Sequence, residues 1–238
     1  MPLPEAMTSA TSARIGTGRA GGGQTTAARL ALAAAHAEAK DAVLSELDDA
    51  IEGLPEGIEV IRSKAGDREE YLRRPDLGRL PDPGDLAGLE PEPADIGVVF
   101  GDGLSPAALE DHAGGVWEAI HKAVPDDWTL AAPVLALGAR VALADHIGEA
   151  KQWRTVIMAI GERPGLSVPR SIGLYITHAP RPGMNDGMRN CISNVHSPNG
   201  LLYDDAAARA IALIGQMREL GMSGTAIKDA SGETKELE

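Results

Sequence analysis

The sequence predicts an α/β fold built on a mostly parallel sheet, and three observations lead there. Short apolar runs at 95–100, 130–137, 155–160 and 172–177 suit buried strands. Stretches of helical periodicity alternate with them, the pattern of βαβ units. The 238 residues are 43% hydrophobic but only 3% aromatic, so the core is built from Ala, Leu, Ile and Val.

The elements follow in order along the chain. Residues 1–24 are rich in Ser, Thr, Gly and Ala and end near Gly21-Gly22-Gly23, the composition of an extended arm that buries little surface. From Thr25 onward Leu30, Ala33, Ala34, Ala37, Val43, Leu44 and Leu47 recur at helical spacing. Thr25 or Thr26 caps this helix, which stops before Gly53 and Pro55. A short apolar piece at 58–61 precedes a helical turn at 67–72 that Pro75 ends. Four prolines and two glycines within 81–93 read as a linker. Beyond it, the strand at 95–100 turns at 101–104, and Ser105 and Pro106 supply an N-cap and a first helical residue. That helix runs to about Ala123, and a last helix spans about 204–220. Ligands on such sheets sit beyond the C-terminal ends of the strands.

Composition excludes several classes of function. A protein that neutralises phosphates needs a basic face, and a net charge of −13 argues against nucleic acid as a partner. One cysteine makes no internal disulfide, and six unclustered histidines form no HExxH pair, which argues against a metal site. The N-terminus shows no basic segment followed by an apolar one, and no run of 18 apolar residues occurs. The chain therefore reads as soluble and cytoplasmic, with no membrane contact.

Four segments offer chemistry. Gly16-Thr17-Gly18-Arg19-Ala20-Gly21 matches the dinucleotide fingerprint by letter, but no strand precedes it, so a glycine-rich arm is the better reading. Gly161-Glu162-Arg163-Pro164-Gly165-Leu166 follows an apolar run and sets two charges at a strand end, as a ligand loop or as a solvated turn. Arg189-Asn190-Cys191-Ile192-Ser193-Asn194 surrounds the sole cysteine with polar groups. It lacks a readable histidine partner for nucleophilic catalysis and is better placed as a ligand-facing loop. Asp102 and Ser105 flank a strand–helix turn, a place for an anion or for an ordinary cap.

Six segments in order resemble the light-subunit family of ethanolamine ammonia-lyase. They are Ala13-Arg14-Ile15-Gly16-Thr17-Gly18-Arg19, Glu70-Tyr71-Leu72-Arg73-Arg74-Pro75-Asp76-Leu77-Gly78-Arg79 and Gly101-Asp102-Gly103-Leu104-Ser105. His146-Ile147-Gly148-Glu149, Gly161-Glu162-Arg163-Pro164-Gly165-Leu166-Ser167 and Arg189-Asn190-Cys191-Ile192-Ser193-Asn194 complete the set. The resemblance implies a flexible arm at 1–24, a small helical subdomain at 25–90, and a Rossmann-like α/β/α domain at 91–238. It also implies adenosylcobalamin as cofactor, held base-on because no histidine here follows an Asp two residues earlier. The cobalamin-contacting positions it carries over are Val141, Glu162 and Cys191, and it places no catalytic residue in this chain. The radical conversion of ethanolamine to acetaldehyde and ammonia would need a large subunit that binds ethanolamine, in a hetero-oligomer of several heterodimers. The GxGxxG look-alike becomes part of an arm that meets that subunit. Without a long leading segment, packing into a bacterial microcompartment is left open.

Two rival readings stand beside this one. An autonomous α/β enzyme or nucleotide-binding domain would use Asp102 and Ser105; a scaffold subunit would use its acidic surface only for solubility.

Overall fold

The computed structural model describes Met7, residues 13–47 and residues 51–227. Its centre is a mixed six-stranded sheet in the order β1-β3-β2-β4-β5-β6. The strands are β1 (Glu59–Arg62), β2 (Ala94–Gly101), β3 (Val134–Leu137), β4 (Trp153–Gly161), β5 (Ile172–His178) and β6 (Asn190–Val195). β1, β3, β2 and β4 run parallel, whereas β5 and β6 are antiparallel additions on one side. Three of the five pairings are parallel, so the expected parallel majority holds in a sheet that is nonetheless mixed. The reason is the connection: residues 162–171 contain no helix that could carry the chain back across the sheet, so it returns antiparallel.

Among the described residues the helices are α1 (Thr26–Leu44), α2 (Arg68–Arg73), α3 (Pro83–Ala87), α4 (Pro106–Ala123), α5 (Leu143–Lys151) and α6 (Tyr203–Leu220). β2 leads through α4 to β3 on one side, and β3 leads through α5 to β4 on the other. Alternation along the strands sends Ile96, Val98 and Phe100 to one face, against Leu109, Val116 and Ile120 of α4 and Leu213 and Ile214 of α6. Val99, Val134, Val156 and Met158 face the other way, against Leu143, Ala144 and Ile147 of α5. The edge where β2, β3 and β4 end therefore lies at a reversal of strand order, where a crevice opens.

Local chemistry sets the helix ends. The Thr25 hydroxyl accepts from Ala28 N at 3.2 Å, and the Asp67 carboxylate accepts from Glu70 N at 2.8 Å, as the composition of those segments predicts. Three expectations need correction. The 81–93 segment is not a bare linker, because the Asp82 carboxylate caps Gly84 N and Asp85 N, and Pro83 opens α3. Ser105 and Pro106 stand at the N-cap and first helical positions as expected, but the Ser105 hydroxyl bonds no helix N–H and donates instead to Pro169 O at 3.4 Å. The segment 190–195 is a strand, not a loop: Ile192 and Val195 point into the core, and Cys191 and Ser193 point out. The segment 25–90 also contributes β1, paired with β3, to the main sheet.

Candidate functional site

A cleft of about 460 Å³ opens at the C-terminal edge of the parallel strands. The ends of β2 and β4 supply Gly103, Leu104, Gly161, Glu162 and Arg163. The β3–α5 turn supplies Arg140 and Val141, β5 supplies Tyr175, and α2 closes the cleft with Tyr71. Val141 and Glu162 thus share one hollow although 21 residues separate them. Cys191 does not line it. It sits opposite Tyr175 in the β5–β6 register. α5 covers the strands on this face only as far as β4, so Cys191 and Ser193 are exposed beside a half-buried Tyr175.

Two glycines let the walls meet. Gly103 has φ +56, and a Cβ there would lie 2.3 Å from Gly161 O. A Cβ on Gly161 would lie 2.2 Å from Ser105 O, so the β2–α4 turn and the end of β4 touch backbone to backbone. Gly173 keeps the floor open, since a Cβ there would stand 3.0 Å from both Glu162 Oε1 and the Tyr175 ring.

The Glu162 carboxylate is aimed by its neighbours. Its Oε2 accepts from Ser171 Oγ at 2.7 Å and from Asn194 N at 3.1 Å, leaving further acceptor capacity for a ligand. Although Cys191 reaches the surface, partial burial of its sulfur pushes the thiol above its ordinary range, and the nearby Glu162 charge adds to this while Tyr175 and Ser193 pull it down. A thiol held protonated is a poor nucleophile, so Cys191 suits contact and not attack.

Behind the cleft Asp102 works as a staple. Its carboxylate accepts from Gly103 N at 2.8 Å, Gly138 N at 2.9 Å and Ala139 N at 2.8 Å, tying the β2–α4 turn to the β3–α5 turn. Arg68 approaches it at 3.6 Å, with both side chains more than 90% buried, and donates to Val43 O and Gly103 O. Burial pushes the Asp102 carboxyl up, against the pull of those backbone N–H groups and Arg68. With its oxygens so engaged, Asp102 has little left to offer a substrate. Tyr71 is fully buried, donates to Ala139 O at 3.0 Å, and carries the guanidiniums of Arg140 and Arg68 at 4.3 and 4.7 Å from its ring centre. The resemblance covers Tyr71 without assigning it a role, and Arg140 stands in no motif.

Other predicted features lie apart. The glycine-rich 16–21 segment is exposed, with no strand among the described residues before it, and Arg14 Nη2 donates to Leu166 O at 2.6 Å, laying the arm on the loop after β4. A larger groove of about 850 Å³ lies on α4, lined by Glu52, Glu110, Asp111 and Glu118, and holds none of the three carried-over positions. Among the described residues no group of His, Cys, Asp and Glu could hold a metal ion, and no helix is long and apolar enough to cross a membrane.

Comparison with known proteins gives this geometry a context. The profile of the family described as "Ethanolamine ammonia-lyase light chain (EutC)" matches residues 4–228. The chain is 47% identical over 227 residues to the ethanolamine ammonia-lyase small subunit of Rhodococcus erythropolis, covering 93% of this chain and 88% of that one. It is 44% identical over 230 residues to the small subunit of Rhodopseudomonas palustris (strain BisA53), again covering 93% and 88%. Against the small subunit of Ralstonia nicotianae the figures are 41% over 239 residues, 95% and 88%. The chain therefore belongs to the ethanolamine ammonia-lyase light-chain family, the small subunits of that lyase.

Proposed function

We propose that this chain completes an adenosylcobalamin site against a large ethanolamine ammonia-lyase subunit, in an assembly of several heterodimers that turns ethanolamine into acetaldehyde and ammonia. The observation that carries this reading is the convergence of Val141 and Glu162 in one cleft at the strand edge, continuous through Tyr175 with exposed Cys191. The residues suit a corrinoid. Glu162 has acceptor capacity for amide N–H groups, and Gly173 leaves the floor beside Glu162 and Tyr175 free of a side chain. A bound adenosylcobalamin would supply the radical chemistry. This chain's residues bind and orient: Val141 gives apolar contact, Glu162 receives hydrogen bonds, and Cys191 with Tyr175 forms a small polar floor. A Rossmann-like order of the layers belongs to this reading, and the α/β sheet with helices on both faces supports it. The cytoplasm, or a microcompartment within it, is the setting implied.

The test is reconstitution. Copurification with a large subunit, and deamination that needs both chains and the cofactor, is the expected result; full deamination by the large chain alone would overturn the reading. Glu162→Ala is expected to weaken cobalamin affinity about tenfold, the loss of one charge-assisted hydrogen bond, while the fold persists.

A further inference from the structure

Charge in the cleft is out of balance. Arg140 and Arg163 line it with Glu162 as their acidic companion, and Glu162 is already held by Ser171 and Asn194. Asp102, the buried acid behind the wall, is spent on three backbone N–H groups and on Arg68. Among the described residues Arg140 pairs with no carboxylate. Its Nη2 reaches only Tyr71 O, at 3.4 Å, and its Nε–H is buried without an acceptor. A guanidinium stacked on a fully buried tyrosine, which is itself pinned through its hydroxyl, is also rigid. A fixed, uncompensated guanidinium beside Val141 is a receptor for an oxyanion.

Resting on the corrinoid reading above, we propose that Arg140 is a further cofactor-contacting residue and that it docks the phosphodiester of the nucleotide tail. The corrin amides are neutral, and the phosphodiester is the anionic group of the intact cofactor. Arg140 would meet it with a charge-assisted hydrogen bond, and Tyr71 would act as a positioning residue that keeps the guanidinium flat and aimed.

The test separates tail from ring. The two-subunit enzyme is titrated with cyanocobalamin and, in parallel, with dicyanocobinamide, which lacks the phosphodiester, ribose and base. Binding is read by visible absorbance and by calorimetry, with no turnover required. Arg140→Gln is expected to weaken cyanocobalamin at least tenfold and leave cobinamide within twofold. Arg140→Lys, which keeps the charge, should recover part of the loss. Thermal melting checks that each variant folds, and Tyr71→Phe provides a second, milder perturbation with the same selective pattern expected. Equal weakening of both corrinoids, or no weakening of either, would overturn the assignment of Arg140 while leaving the corrinoid site standing. A wild-type complex that binds neither compound would overturn the corrinoid reading itself, and the role of Arg140 with it.

Discussion

Replacing Asp102 tests whether that residue is a staple or a reagent. Its Oδ1 accepts from Gly103 N and Ala139 N, and its Oδ2 accepts from Gly138 N and faces Arg68 at 3.6 Å. In Asp102→Ala three backbone donors lose their acceptor in a site that is 6% exposed, and Arg68 loses its counter-charge. At about 1 kcal/mol of net stability per hydrogen bond the three sum to about 3 kcal/mol. Loss of the ion pair adds to that, whereas relief of the carboxylate's desolvation subtracts, so about 3 kcal/mol is the working figure. For a chain of this length that lowers Tm by about 6–12 °C. Asp102→Asn keeps an oxygen for Gly103 and Ala139 but turns an NH₂ toward Gly138 N–H and Arg68, donor against donor. Its cost is expected near half as large. Both are read by thermal and urea unfolding followed by circular dichroism. An Asp102→Ala protein melting within 2 °C of wild type would refute the staple. An Asp102→Asn protein with wild-type melting and wild-type cobalamin affinity but no turnover would return Asp102 to the role of reagent.

Three further outcomes follow from the same geometry. Arg189 donates to Asp145 at 2.5 and 2.7 Å with both side chains about 2% exposed or less, fastening the start of β6 to α5; Arg189→Ala should cost about 3–5 kcal/mol in urea unfolding, and a loss under 1 kcal/mol would contradict it. Cys191→Ala should retain most of the activity of the reconstituted enzyme, because the thiol is held protonated; abolished turnover with normal cobalamin binding would revive a chemical role for it. Burial holds the imidazoles of His112, His146 and His178 below their ordinary range. The unfolded chain then takes up protons first as pH falls through about 6.5, so stability is full above that pH and declines below it. Tm should be lower at pH 5.5 than at pH 7.5, and an equal or higher value would count against the assignment.

What the sequence discloses and what it hides divides along physical lines. Val156 to Ile160 of β4 form an unbroken apolar run because α4 and α5 bury both faces of the strand, and such a run is visible without any partner. β6 shows only Ile192 and Val195 to the core while Cys191 and Ser193 meet solvent, so its composition is that of a loop and only its register with β5 reveals a strand. Direction was hidden for a similar reason. Apolar runs carry no arrow, and the antiparallel turn of β5 depends on the absence of a helix in 162–171, which no periodicity announces. The site follows the same division. Glu162 is legible because it directly follows β4 at the edge where ligands gather, whereas Arg140 is not, because its meaning comes from Tyr71, 69 residues away, and from an acceptor its Nε–H lacks. A residue whose role is set by what it fails to pair with leaves no local pattern. The same absence that hides Arg140 in the sequence leaves it a cation of the cleft with no carboxylate partner among the described residues, and a ligand with one phosphodiester and many neutral amides is the kind of molecule that would use it.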